Sequence, residues 1–405
     1  MPNSRKKLQK NVSLPASTIA SMQGAAERSG FASVEAYLTA LHANSNQLPD
    51  DDSASGVRAG SHATAEVRHS TKYGKIYAGD SAPFMAKQLP AASVDLIVTS
   101  PPFGLVRKKD YGNEDADLYL KWFEQFASGF VRLLKPSGSL VIDIGGAWKK
   151  GVPVRSLYHF ELLIMLCKRF GFHLVQEFYW WNPAKLPTPA EWVTVRRVRV
   201  KDAVNCIWWL SLTPYPKASN RRVLQPYSDS MRHLLKNGYK PKVRPSGHDI
   251  SDKFQNDNGG AIPPNLLAIA NTESNGAYQR YCRENGLPEH PARFPAELPA
   301  YFISMLTNPG DLVLDPFGGS CVTGDVCERM QRRWICVEMD EAYIAGAKGR
   351  FTPGTRTAES ANGIRRREEP YEIYPPNSLY IDDSEVPLYL DGGASRPASL
   401  NGKRH

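Results

Sequence analysis

Several stretches of the chain are apolar without alternation. Val94-Asp95-Leu96-Ile97-Val98-Thr99, Gly138-Ser139-Leu140-Val141-Ile142-Asp143 and Asp311-Leu312-Val313-Leu314-Asp315 are short runs of this kind. Such runs predict interior strands of a parallel sheet, buried on both faces. Arg333-Trp334-Ile335-Cys336-Val337 predicts another, ending at Glu338, and Tyr77-Ala78-Gly79-Asp80 marks one more strand end. A helix is expected from about Ser320 to Met330, between two of these strands. Strands joined by helices predict an α/β fold with a mostly parallel sheet.

The first 42 residues carry a different pattern. Lys10 to Leu14 alternates, with Val12 and Leu14 on one face and Asn11 and Ser13 on the other, until Pro15 stops the strand. A helical pattern runs from Ser17 to Arg28, and Ser29-Gly30 is its stop. A second helix opens at Ala32 and carries Val34, Tyr37, Leu38 and Leu41 at helical spacing. Residues 43–66, rich in Ser, Ala, Asp and Gly, are expected to be a linker, and 352–405 an extended or disordered tail. Residues 67–351 remain as the catalytic-sized domain.

A length of 405 residues with 41% hydrophobic and 22% charged residues suits two or three domains with a sizeable core. No apolar run reaches transmembrane length, and no apolar stretch follows the basic start at Met1–Lys10, so neither a membrane span nor a secretory signal is expected. The cysteines at 167, 206, 282, 321, 327 and 336 form no Cys-x-x-Cys pair. Reduced thiols in a cytoplasm, and no metal site of the zinc kind, are the expectation.

The charge is placed unevenly. Between Lys185 and Lys253 stand 14 Lys or Arg against 5 Asp or Glu, while the whole chain is only +9, so the remainder is neutral. A basic block of this kind marks a polyanion-binding surface, although a solvated basic face would have the same composition. Lys185, Arg196, Arg197, Arg199, Lys201, Arg221, Arg222 and Arg244 are its candidate polyanion contacts. His248 could contact a base or pair with Asp249. Trp180, Trp181, Trp192, Trp208 and Trp209 are taken as core.

Candidate chemistry sits at the strand ends, where open α/β sheets bind ligands. Ser100-Pro101-Pro102-Phe103 follows the first strand. Two prolines fix the backbone and remove two N–H donors, which leaves carbonyl acceptors beside a hydroxyl and an aromatic ring. An exocyclic amine on a nucleobase is a poor nucleophile, because its lone pair is delocalised into the ring. Acceptors that bind its hydrogens hold the nitrogen toward tetrahedral geometry, and an aromatic ring can stack on the flipped base. Asp143, at the end of another strand, would lie beside Ser100 if the two strands are neighbours, and would then accept the proton lost by the amine. A turn or helix-cap role would also suit an aspartate there.

The second loop is Asp315-Pro316-Phe317-Gly318-Gly319-Ser320, whose glycines let a ligand approach the backbone. Glu338 follows Asp315 by 23 residues, the spacing at which an acid commonly holds ribose hydroxyls. Asp80 could accept from an adenine amino group or cap a turn. The absence of G-x-G-x-x-G disfavours a nicotinamide or flavin enzyme.

At these residues the chain resembles the S-adenosylmethionine-dependent amino-methyltransferases of DNA. Ser-Pro-Pro-Phe is the catalytic form typical of their N4-cytosine members, and Asp-Pro-Phe-Gly-Gly-Ser is similar to their methionine-binding loop. With the catalytic motif first, the cofactor loop last and the basic block between, the permuted order resembles the beta class. The resemblance implies a Rossmann-like methyltransferase fold with a target-recognition region over 185–290. The implied activity is site-specific methylation of N4 of a flipped cytosine in duplex DNA, as in a restriction-modification system.

Ser100, Pro101, Pro102 and Phe103 would form the catalytic loop, with Asp315, Phe317, Gly318, Gly319 and Ser320 at the methionine part. Glu338 would hold the ribose, Asp80 the adenine, and Phe294 and Pro295 the segment closing over the cofactor. Cys321 departs from the Gly or Asn common after Gly-Gly-Ser. Blocks such as "WNPAKLPTPAEWV" and "HPARFPAELP" are similar to one lineage of the family and imply the target CAGCTG, methylated on its inner cytosine.

The strand-helix-helix pattern of 1–42 resembles the ribbon-helix-helix family, which implies a homodimer, with Gln9, Asn11 and Ser13 where that family reads DNA. An adenine-N6 methyltransferase, a DNA-binding regulator with an inactive enzyme domain and an RNA methyltransferase are the rivals. A C5-cytosine enzyme is disfavoured, because it needs a Pro-Cys nucleophile and the chain has no such dipeptide.

Overall fold

The computed structural model describes Gln23, Ser33 and residues 64–104, 118–238 and 256–352. The ribbon-helix-helix expectation for 1–42, most of the expected linker and nearly all of the 352–405 tail lie outside the described residues, as do Arg244 and His248. The chain divides into two compact units, Met1–His62 and Ala63–His405.

Among its described residues the second unit holds nine strands. They are β1 (Glu66–Ser70), β2 (Gly74–Ala78), β3 (Val94–Thr99), β4 (Leu134–Ile144), β5 (His173–Trp181), β6 (Val204–Ser211), β7 (Leu266–Ala268), β8 (Leu312–Asp315) and β9 (Arg333–Glu338). They form one sheet in the order β1-β2-β9-β8-β3-β4-β6-β5-β7. The central run β2-β9-β8-β3-β4 is parallel, β1 and β6 pair antiparallel with their inner neighbours, and β5 is antiparallel to β6. The sheet is therefore mixed at its flanks and parallel where the motif-bearing strands lie. β3 is buried at all six positions. β8 and β9 match their expected positions closely, whereas β4 begins at Leu134 rather than Gly138.

Helices cover both faces, which is why the central strands carry no polar alternation. On one face α1 (Ser81–Lys87), α2 (Tyr119–Leu133) and α3 (Tyr158–Arg169) bury Phe84, Phe123, Phe130 and Leu162 against Ile97, Leu140 and Ile142. On the other, α6 (Glu297–Leu306), α7 (Val322–Arg329) and α8 (Glu341–Ala347) bury Phe302, Ile303, Val326 and Ile344 against Leu96, Val98 and Trp334. Two short helices, α4 (Asp229–Asn237) and α5 (Ala277–Glu284), complete the described set. Trp180, Trp208 and Trp209 are core, as expected. Trp181 is 41% exposed, because alternate positions of β5 face outward, and Trp192 lies half-buried on a π-helical turn beneath Arg196.

Candidate active site

Parallel pairing brings the carboxyl ends of β2, β9, β8, β3 and β4 to one edge of the sheet. The β3–β4 register pairs Thr99 with Ile142, so Ser100 and Asp143 come out side by side. The Ser100 hydroxyl donates to Asp143 Oδ2 at 3.1 Å, and the Asn205 amide donates to Oδ1 at 3.1 Å. Asp143 is buried, and burial pushes its carboxyl up to about 6, against the opposing pull of Asn205, Ser100 and the Lys185 charge. A carboxyl near 6 is poised to take up a proton at neutral pH.

Phe103 lies across this edge. A Cβ on Gly145 would fall 2.6 Å from its ring and 3.3 Å from Asn205 Oδ1, so glycine is required for the ring to rest there. Tyr158 donates its hydroxyl to the Gly145 carbonyl and fixes the backbone behind the ring. Pro101 is buried; Ser100, Pro102 and Phe103 are half-buried.

The glycine loop follows β8. Asp315 is 1% exposed and accepts from Thr99 Oγ1 at 2.7 Å, Thr323 Oγ1 at 2.7 Å and the Phe317 N–H at 3.1 Å. It thus ties the β3 end, the loop and α7 together from within. Ser320 is also turned inward, with Arg350 donating to both its carbonyl and its hydroxyl. Gly319 has φ +50°, and a Cβ there would meet His290 at 3.2 Å. Cys321 also takes a left-handed φ of +56°, which is the backbone that Gly or Asn would favour at this position, and it is buried.

Glu338 ends β9 beside this loop. Its carboxylate accepts from the N–H groups of Gly319 at 2.7 Å, Met339 at 2.9 Å and Asp340 at 3.0 Å, while burial raises its pKa. An ionised carboxylate has about four acceptor positions, so one is left for a hydroxyl. Asp80 is exposed close by: Ala78 pairs with Glu338, and the Asp80 carboxylate caps α1 through Ala82 N–H at 2.9 Å. Phe294 lines a cavity of about 10 Å³ against Thr99 and Asp143, with Pro295 buried behind it. A glycine loop shaped for close approach, flanked by an acid with a spare acceptor, fits a nucleoside-bearing cofactor.

The basic block divides. Arg196 is ion-paired with Glu191 at 2.7 Å, Arg199 binds the carbonyls of Pro153 and Val198, and Lys201 those of Pro183 and Lys185. Arg222 binds Thr307 and Asn308, each at 2.6 Å. These four are held by the protein's own groups, which composition does not reveal. Arg197 and Arg221 are exposed and make no ion pair or hydrogen bond among the described residues. Lys185 faces a separate pocket beside Asn205.

Sequence reasoning missed Asn205, His290 and Thr99. Asn205 reaches Asp143 because β6 runs antiparallel beside β4, a pairing without a local signal. His290 is half-buried under the glycine loop against Tyr343, and desolvation there pushes its imidazole down to about 4, so it is neutral. Its place in the His-Pro-Ala-Arg-Phe-Pro segment was the available hint.

A Rossmann-like sheet with a Ser-Pro-Pro-Phe loop and a glycine loop at one edge defines a class, and comparison with known proteins agrees. Residues 94–349 match the model of the N6/N4 DNA methylase family, and the chain belongs to that family. Among its relatives is type II methyltransferase M.PvuII of Proteus hauseri, 51% identical over 302 residues, or 74% of this chain and 90% of the relative. Type II methyltransferase M.BamHI of Bacillus amyloliquefaciens is 27% identical over 77% of this chain and 66% of the relative. The solved structure of the PvuII DNA methyltransferase (cytosine-N4-specific) is similar with a TM-score of 0.58 at 45% identity, covering 73% of this chain and 92% of that one.

Proposed function

We propose that the chain is a site-specific DNA methyltransferase that moves a methyl group from S-adenosylmethionine to N4 of a flipped cytosine, within CAGCTG. The observation that carries this reading is the Ser100 hydroxyl on a buried Asp143, beside the glycine loop. The identity to M.PvuII, whose structure is described as cytosine-N4-specific, supports the choice of base.

The cofactor supplies an electrophilic methyl on a sulfonium sulfur. The chain's residues prepare the amine. The Ser100 and Pro101 carbonyls accept its two hydrogens, and the prolines offer no competing N–H. Phe103 stacks on the flipped ring and holds it in place. Asp143, ionised above about pH 6, accepts through Ser100 the proton that the amine loses. Glu338 takes a ribose hydroxyl with its free acceptor position, and Asp80 takes the adenine amine. Gly318 and Gly319 admit the methionine part to the backbone beside Phe317, and Asp315 and Ser320 keep the loop in shape. Phe294 and Pro295 cover the cofactor side. No metal enters this scheme.

Duplex DNA approaches through the region 185–290, with Arg197 and Arg221 as the available phosphate contacts. Residues 1–42 would join two chains as a homodimer; light scattering of the full chain tests this, and a monomer at micromolar concentration would reject it. The function is tested by methyl transfer to duplexes containing CAGCTG. Transfer should be lost when the inner cytosine is replaced by N4-methylcytosine, and retention would reject the assignment.

A further inference from the structure

Lys185 stands apart from the rest of the basic block. Its backbone is fixed on both sides: its N–H donates to the Asn182 carbonyl at 3.2 Å, and its own carbonyl accepts from Lys201 Nζ at 2.9 Å. Its ammonium donates to none of the described residues. The residue lines a cavity of about 160 Å³ with Trp180, Asn182, Ala203, Asn205 and Asn271. That volume is in the range that admits a single six-membered ring. The walls are preset: Trp180 donates its indole N–H to Ile269 at 2.8 Å, and Asn182 Oδ1 accepts from Ala184 and Asn271. Asn205 is shared between this cavity and Asp143, which it binds at 3.1 Å, so the cavity opens beside the reacting edge. The Lys185 charge is close enough to act on Asp143.

The two amines that this chemistry can methylate look alike at the reacting end. Cytosine N4 and adenine N6 each sit next to a ring nitrogen that accepts. They differ at the next position along the same edge, where cytosine has the O2 carbonyl and adenine a C–H. A cation fixed there gains a charged hydrogen bond with cytosine and stays unpaired with adenine. A site built to bond a polar group rejects an analogue lacking it far more strongly than an apolar site can.

We propose that Lys185 binds O2 of the flipped cytosine and so makes the base pocket selective for cytosine. This rests on the cytosine-N4 reading above. A phosphate contact at Lys185 is the competing outcome.

The test uses the full chain and two duplexes. One carries cytosine at the target position. The other carries a 2-aminopyridine C-nucleoside, which keeps the amine and the adjacent ring nitrogen but has C–H in place of O2. Single-turnover rates at saturating cofactor are measured for the wild type and for Lys185→Met, with cofactor affinity as the check on folding. The intrinsic reactivity of the analogue cancels when the two cytosine-to-analogue ratios are compared. The ratio should fall roughly 10- to 150-fold in Lys185→Met, the worth of one charged hydrogen bond, with Lys185→Arg in between. An equal drop on both duplexes, leaving the ratio unchanged, would overturn the proposal. A wild type that leaves the target cytosine unmodified at N4 would sink the cytosine reading itself, and this shows in the wild-type arm alone.

Discussion

Replacing Asp143 by Asn should make the protein more stable and nearly inactive. Burial raises the Asp143 carboxyl from 3.8 to about 6, so the fold carries a penalty for keeping it ionised. About two pK units correspond to about 3 kcal/mol once the group is fully ionised. The native state binds the extra proton between pH about 4 and 6, so the stability of the protonated fold is intact at low pH and is lost as pH rises through 6, where the full penalty is reached. Asn keeps an acceptor for the Asn205 amide and can donate to the Ser100 hydroxyl, so both hydrogen bonds survive. Asp143→Asn should therefore gain up to about 3 kcal/mol over the wild type at pH 8, shrinking to roughly half of that at pH 5. Without a proton acceptor, turnover should drop by about 10²- to 10⁴-fold. Urea unfolding of both proteins at the two pH values, with single-turnover methylation at pH 8, measures each quantity. A stability difference that does not change with pH, or a variant within twofold of wild-type turnover, would refute the reasoning.

The other expectations come from the same edge of the sheet. Wild-type turnover should fall about tenfold per pH unit below 6 and level off above 7, and a profile flat down to pH 5 would contradict Asp143 as the base. Phe103→Ala should lower kcat/KM by roughly 10- to 100-fold through lost stacking, with cofactor affinity unchanged by equilibrium dialysis. Asp315→Ala should destabilise by about 2–4 kcal/mol in urea unfolding, because it strands the Thr99 and Thr323 hydroxyls and the Phe317 N–H in the interior. Arg197→Ala should reduce the slope of log affinity against log salt by about 0.9, whereas Arg222→Ala should leave that slope unchanged.

The features legible in the sequence were those with a short-range cause. The apolar run Val94–Thr99 admits one role, and a Pro-Pro after it must sit at a strand end. The neighbourhood of Ser100 and Asp143 followed once β3 and β4 were taken as adjacent, and the 3.1 Å hydrogen bond realises it. What depended on partners distant in the chain was not legible. Asn205 acts on Asp143 from an antiparallel strand 62 residues later. Charge density identified a basic block, but carbonyls already occupy Arg199, Lys201 and Arg222, and a lysine held by its neighbours looks the same in sequence as one reaching for phosphate. Asp315 showed the same limit: a loop aspartate can serve a ligand or brace the loop, and only the Thr99 and Thr323 hydroxyls distinguish the two.

The identity of the methylated base tests the account most directly. The protein is incubated with S-adenosylmethionine and unmethylated plasmid, the DNA is digested to nucleosides, and the product is identified by mass spectrometry. N4-methylcytosine is the expected product, reduced about a hundredfold or more in Asp143→Asn. N6-methyladenine as the product would contradict it, leaving the fold and the cofactor loop in place but overturning the reading of the base pocket.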